Sequence, residues 1–152
     1  MMFEELSHLY QDVILDRGRK PRHGVRLEVF DADAKGDNPM CGDRVQVFVR
    51  HDGEAVAALG FEARGCAISI ASADLMAEAV IGLGDAEIVE MARKFTDMAR
   101  SGETTDLDLQ ALRPLAGVHE YPSRIKCATL PWAALQAALA GAGAQKGVAS
   151  SE

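Results

Sequence analysis

Three cysteines stand far apart in this chain, at Cys41, Cys66 and Cys127. Cys41 falls in the stretch GDNPMCGDR, where only Gly42 separates it from Asp43. A thiol in such a place can be a small buried hydrophobe, half of a disulfide, a nucleophile or a metal ligand. An odd number of cysteines in a reducing compartment disfavours structural disulfides. The chain has no CxxC pair, which makes a dithiol redox enzyme the poorest fit. Gaps of 25 and 61 residues do not form a zinc-finger pattern either. Thiolates and carboxylates are nonetheless both zinc ligands. Cys41, Asp43, Cys66 and Cys127 would form a four-ligand set if the fold brings them together. Gly42 lets the backbone turn so that Cys41 and Asp43 can face one ion. Spacing alone leaves this set level with three unrelated thiols.

A zinc ion held by three thiolates and a carboxylate carries an excess of about two negative charges, which burial would penalise. Arg64, Arg124 and Lys126 lie within three residues of a candidate ligand and could offset it. The plainer reading of each is a solvated surface cation.

The elements that would position these residues follow from periodicity. Phe3, Leu6, Leu9, Tyr10, Val13 and Ile14 recur at helical spacing, so residues 4–17 form an amphipathic helix ended by Gly18, Pro21 and Gly24. Val25, Leu27 and Val29 alternate with Arg26 and Glu28, which predicts a short strand, and residues 31–39 are turn-rich. Val45, Val47 and Val49 predict a second strand. Asp52-Gly53 signals a hairpin, and the return strand runs from about Ala55 to Ala63. After Gly65 the period lengthens to that of a helix through Ile68, Ser72, Leu75, Met76 and Ala79. Cys66 thus falls at a helix N-terminus, where the dipole favours a thiolate. Asp85 is the expected N-cap of a next helix with the stripe Ile88, Met91, Ala92, Phe95, Met98 and Ala99.

A short helical piece is expected from Leu107 to Leu112. A last helix carries Leu130, Ala134, Leu135, Ala138 and Leu139, capped by Thr129 with Pro131 in its first turn. Cys127 then precedes that helix, and all three cysteines fall at element ends. The order predicts an α+β fold, a small three-stranded antiparallel sheet packed by helices on one face. Residues 1–142 form a single domain, and 143–152 a flexible tail.

Composition narrows the function classes. The 152 residues suit one hydrophobic core, and 48% hydrophobic with 26% charged residues is ordinary for a globular domain. A net charge of −7 without a basic run argues against nucleic acid as a partner. No apolar stretch approaches the roughly 20 residues that a membrane span needs. The acidic start, MMFEELSHLYQD, is unlike a secretory signal, so the expected location is cytoplasmic.

The stretches NPMCGDRV, GFEARGCAISIASADLM and YPSRIKCATLPW resemble the three blocks of the SufU proteins, within the IscU/NifU N-terminal group of iron–sulfur cluster assembly proteins. The resemblance covers about residues 3–140. It implies the SufU/IscU-like fold and a zinc-dependent sulfurtransferase. Such a protein accepts persulfide sulfur from a SufS-type cysteine desulfurase, a PLP enzyme, and passes it to a downstream Suf cluster-assembly scaffold. Carried over, the zinc ligands are Cys41, Asp43, Cys66 and Cys127. Cys41 is the sulfur acceptor, released from the metal for transfer, and Arg124 helps to engage the desulfurase. In scaffold-type members a histidine immediately precedes the third cysteine, where this chain has Lys126, and the gap before that cysteine is shorter. The alternative function is a scaffold that binds a [2Fe–2S] cluster on the same ligands.

Other residues fit bland roles. His8, His23, His51 and His119 stand beside no cysteine, with His51 a strand-end turn residue and His119 a candidate neighbour of the site. Met76, Met91 and Met98 lie on helical stripes and fit the core. Ser69 and Ser72 are either exposed helix residues or donors to a sulfur. Asp106 and Asp108 fit a solvated face.

Overall fold

The computed structural model describes residues 2–39, 42–104, 106–141 and 148–150, with side chains from residue 11 to 141. The element order is α1 (Met2–Arg19), β1 (Ala32–Asn38), β2 (Asp43–Asp52), β3 (Ala55–Arg64), α2 (Ala67–Val80) and α3 (Asp85–Ser101). A 3-10 run (Leu107–Glu120), α4 (Pro122–Ala140) and β4 (Val148–Ser150) follow. β1, β2 and β3 form an antiparallel meander, and β4 adds to the free edge of β1 in parallel, giving the order β3-β2-β1-β4. The expected α+β architecture is present. The three residues of β4 lie within the stretch that the sequence reading leaves as a tail.

Strand parity sorts the side chains. Val45, Val47 and Val49 share one face of β2 with their partners Gly36, Ala34 and Ala32 on β1 and Ala63, Phe61 and Leu59 on β3. This face carries the helices, α4 over β1 and β2 and α2 against β3. Small residues on β1 let α4 come close. A Cβ added to Gly36 would lie 3.1 Å from Leu130 and 3.3 Å from Ala134. Farther out, Phe95 of α3 stacks on Trp132 of α4 with centroids 4.8 Å apart. The 3-10 run contributes Leu109, Leu112 and Leu115, all fully buried.

The first strand differs from the sequence reading. Residues 25–29 are not a strand. They belong to an irregular segment that crosses the other face of the sheet, leaving Val25 and Val29 largely exposed. Gly60 permits the crossing, because a Cβ there would run into the Val25 carbonyl. Phe30 then meets Phe48 edge-on at 5.0 Å, and the Arg26 guanidinium lies 4.9 Å from the Phe48 ring centre. β1 forms instead in the turn-rich stretch. Its Asp, Gly and Asn residues favour turns locally. Burial of Ala32, Ala34, Gly36 and Asn38 under α4, with pairing to β2, overrides that preference.

Helix boundaries shift for equally physical reasons. Pro122, at the start of α4, needs no helical N–H partner, and the helix begins there with Tyr121 as N-cap. Thr129 is therefore inside the helix and donates to the Ile125 carbonyl at 3.0 Å. Pro131 is interior too, so the helix supplies no i+4 N–H to the Cys127 carbonyl. Gly84, not Asp85, caps α3, and its N–H donates to Glu87 Oε1 at 3.0 Å. The short piece expected at Leu107–Leu112 continues as 3-10 turns to Glu120. Asp106 starts that run, accepting the Asp108 N–H at 2.9 Å while pairing with Lys94 at 2.6 Å.

Candidate metal centre

The two antiparallel hairpins and two helix ends place three predicted site residues together. Asp43 opens β2 on the same parity as Val45, Val47 and Val49, so its carboxylate falls on the helix-covered face and is 1% exposed. Cys66 is the N-cap of α2, immediately after β3 and the Arg64-Gly65 exit. Cys127 sits one turn into α4 and is 1% exposed. Donor atoms of Asp43, Cys66 and Cys127 all lie within 4.8 Å of one another. The expectation that all three cysteines fall at element ends fails at Cys127. The early start of α4 carries Cys127 into the helix and turns it onto the buried side.

The backbone prepares this meeting. The Cys66 N–H, one of the orphan donors at the α2 N-terminus, donates to Asp43 Oδ1 at 2.9 Å. The Cys66 thiol lies 3.6 Å from the other carboxylate oxygen. Gly65 adopts φ +133°, and a Cβ on it would overlap the Asp43 carboxylate. Gly42, φ +75°, has open space around it and is needed for backbone conformation alone. Its N–H closes the β1–β2 connection by donating to the Asn38 carbonyl at 2.9 Å. Cys41 and Met40 lie outside the described residues.

The cluster gathers acidic groups in a largely buried place, with Asp43 and Cys127 buried and Cys66 half-buried. Burial first, then the neighbouring Asp43 and Cys66, push the Cys127 thiol far above the ordinary cysteine range. Electrostatic attraction to Cys66, followed by a hydrogen bond to Cys127, raises the Arg124 guanidinium above its usual value. Arg124 is thus the cation that faces the sulfurs, from the first turn of α4. Arg64 and Lys126 are exposed, with no ion pair to the cluster among the described residues. His119 is turned elsewhere, against Gly102 and the Ala116 carbonyl.

Two sulfurs, one buried and one half-buried, and a buried carboxylate are a donor set suited to zinc. Donors of a tetrahedral zinc lie about 3.3–3.8 Å apart, so a small inward shift of these three would close around an ion. Among the described residues, the cluster sets acidic groups in a largely buried place with the Arg124 guanidinium at its rim. That is the imbalance a divalent ion would correct. A cleft of about 630 Å³ opens nearby on the sheet, lined by Lys35, Asp37, Arg44, Gln46, Glu62 and Arg64 among others. None of the three clustered donors lines it.

Sequence reasoning missed three features. Ser69 and Ser72 are buried, not exposed; the Ser72 hydroxyl donates to the Ala128 carbonyl at 2.5 Å. Asp74, fully buried on α2, takes Arg17 of α1 at 2.7 Å and the His23 N–H at 2.7 Å. His51, expected in a turn, lies in β2 at a bulge and bridges Asp31 at 2.9 Å and Asp85 at 2.8 Å. Contacts across sequence separations of 20 to 57 residues decide all three, and no local pattern marks them.

A meander of three strands with a Cys/Asp/Cys cluster where β2, α2 and α4 meet defines an IscU-like assembly domain. Residues 9–141 match the family described as the NifU-like N terminal domain, and the chain belongs to it. It is 40% identical over 137 residues to the zinc-dependent sulfurtransferase SufU of Bacillus subtilis (strain 168), covering 89% of this chain and 92% of that one. It is also 36% identical over 140 residues to the iron–sulfur cluster assembly scaffold protein IscU of Streptococcus pyogenes serotype M1, covering 91% and 87%. Among solved structures it superposes with TM-score 0.79 on a candidate iron–sulfur cluster assembly scaffold protein for the SUF system from Fervidobacterium islandicum AW-1. Identity there is 33%, over 84% of this chain and 94% of that one. Among the described residues, no helix is long and apolar enough to cross a membrane.

Proposed function

We propose that this protein is a zinc-dependent sulfurtransferase. It accepts persulfide sulfur from a SufS-type cysteine desulfurase and passes it to a downstream cluster-assembly scaffold. The observation that carries the reading is the convergence of Asp43, Cys66 and Cys127 beneath Arg124. Likeness to a relative named as a zinc-dependent sulfurtransferase supports it. In this reading Cys41, two residues before Asp43, is the fourth ligand and the sulfur acceptor.

Bound zinc would hold the ligating thiols as thiolates at neutral pH. The transfer itself belongs to Cys41. Its thiolate attacks the outer sulfur of the desulfurase persulfide, the S–S bond breaks, and the donor cysteine leaves as a thiolate. Cys41 then carries the persulfide. No external oxidant is consumed, because the sulfur moves at constant oxidation level. Arg124 stands where its charge meets the anionic donor as it approaches.

A second reading, a scaffold carrying a [2Fe–2S] cluster on the same residues, draws on the likeness to the streptococcal scaffold. Thiolates serve both metals, so donor type does not separate them. The deciding experiment measures desulfurase turnover with and without this protein, alongside its metal content. Colourless protein with one zinc that accelerates turnover, and a Cys41→Ala variant that does not, support sulfur transfer. No acceleration by zinc-loaded protein would sink it, and brown protein purified without oxygen would favour the scaffold.

A further inference from the structure

We propose that Ser69 is a positioning residue for the cluster: its hydroxyl donates a hydrogen bond to the Cys127 sulfur once that sulfur is a metal-bound thiolate. The inference rests on the metal-centre reading above and adds a residue to it.

The starting observation is an orphan. Ser69 is 1% exposed, and its Oγ is buried with no hydrogen-bond partner. Buried hydroxyls in folded proteins are nearly always satisfied, and an exception calls for an explanation, an ion or ligand yet to bind being one. Trp132 Nε1 is the other such atom among the described residues, but it lies in the outer core stacked on Phe95. Ser69 lies three residues after Cys66, the N-cap of α2. Residues three apart share a helix face, and helical side chains lean toward the N-terminus, which here is the cluster end.

The facing element is fixed by the next turn. Ser72 continues the same stripe, and its hydroxyl bonds the Ala128 carbonyl of α4. Cys66 at one end of the stripe meets Cys127, and Ser72 at the other meets Ala128. Ser69 falls between Cys66 and Ser72 on that stripe, and helix spacing therefore directs it toward the Cys127 turn of α4. A neutral thiol is a weak acceptor, whereas a thiolate is a strong one. A sulfur that ligates a metal is a thiolate, so a filled cluster offers the orphaned hydroxyl the acceptor it lacks. Such donors behind a ligand typically change metal affinity by about 10–100-fold.

The test compares Ser69→Ala with Ser72→Ala in the full chain, using Zn²⁺ in competition with a chromophoric chelator and thermal unfolding of the metal-free protein. Ser69→Ala is expected to weaken zinc binding about tenfold. The metal-free melting temperature should stay unchanged or rise, because an unsatisfied hydroxyl has been removed. Ser72→Ala is expected to do the reverse, lowering the metal-free melting temperature with little change in zinc affinity. Ser69→Thr, which keeps the hydroxyl, should recover most of the lost affinity. Unchanged zinc affinity in Ser69→Ala overturns the proposal while leaving the metal centre intact. Failure of the wild type to bind zinc overturns the metal-centre reading and this inference with it.

Discussion

The carboxylate of Asp43 occupies the space that a side chain on Gly65 would need, and the next residue, Cys66, donates its N–H to that carboxylate at 2.9 Å. Two candidate ligands 23 residues apart are thus locked by one glycine and one hydrogen bond. The end of the β2–β3 hairpin sets the spacing of the cluster, while α4 delivers Cys127 against it.

Gly65→Ala should therefore damage the cluster more than Gly42→Ala does. At Gly65 the new methyl meets both a strained backbone, φ +133°, and the Asp43 carboxylate. At Gly42 it meets only the backbone cost. A loss of about 2–3 kcal/mol is expected at Gly65 and about 1 kcal/mol at Gly42. Denaturant unfolding with zinc analysis checks this, and equal effects at the two glycines would contradict the locking role.

Zinc should act as a staple between sheet and helices. At free zinc near 1,000 times the dissociation constant, binding adds about 4 kcal/mol to folding. Chelation should remove that increment from wild type but not from Cys127→Ala, which lacks the buried sulfur. Melting curves with and without chelator show whether the two proteins converge.

Arg124→Ala should separate metal binding from sulfur transfer. The guanidinium faces the Cys66 and Cys127 sulfurs from an exposed position. Its loss is expected to leave zinc content near wild type and to lower desulfurase stimulation by about tenfold, an order suited to one lost charge-assisted contact. Lys126→Ala, which changes a cation next to Cys127 in sequence, should have a much smaller effect.

The His51 bridge predicts a pH dependence of stability. Hydrogen bonds to Asp31 and then Asp85 raise the His51 pKa above its ordinary value. The folded state binds the proton more tightly, so the contribution is complete below the unfolded pKa of about 6.5. It fades as the pH rises through the raised folded value. His51→Gln should therefore fall furthest below wild type in acid, with the gap narrowing as pH increases. A gap independent of pH would show that protonation of His51 does not contribute.

Asp74 should dominate the docking of α1. It is fully buried and receives both Arg17 and the His23 N–H, while Glu78 meets the same Arg17 in the open. Asp74→Ala leaves the His23 N–H without its acceptor and Arg17 with Glu78 alone, and should cost about 2 kcal/mol. Glu78→Ala should cost under about 1 kcal/mol. Urea unfolding of the two variants distinguishes them.

How much of this was legible beforehand follows from the range of the interactions. The β2–β3 hairpin, the α2 and α3 stripes and the place of Cys66 are written in local periodicity. Side chains two or three to four residues apart share a face whatever the rest of the chain does. The family blocks around the cysteines also stand in the sequence, and of the four ligands they imply the fold gathers Asp43, Cys66 and Cys127. β1 was not legible, because its turn-forming residues become a strand only under α4 and beside β2. Nor was the start of α4, where Pro122 and Pro131 compete to mark a first turn. Tertiary packing chose the earlier one and so buried Cys127. The sequence by itself determined which donors exist and their order along the chain. Only the tertiary structure decided that Asp43, Cys66 and Cys127 meet, because strand parity, a glycine exit and the start of a distant helix must agree in three dimensions.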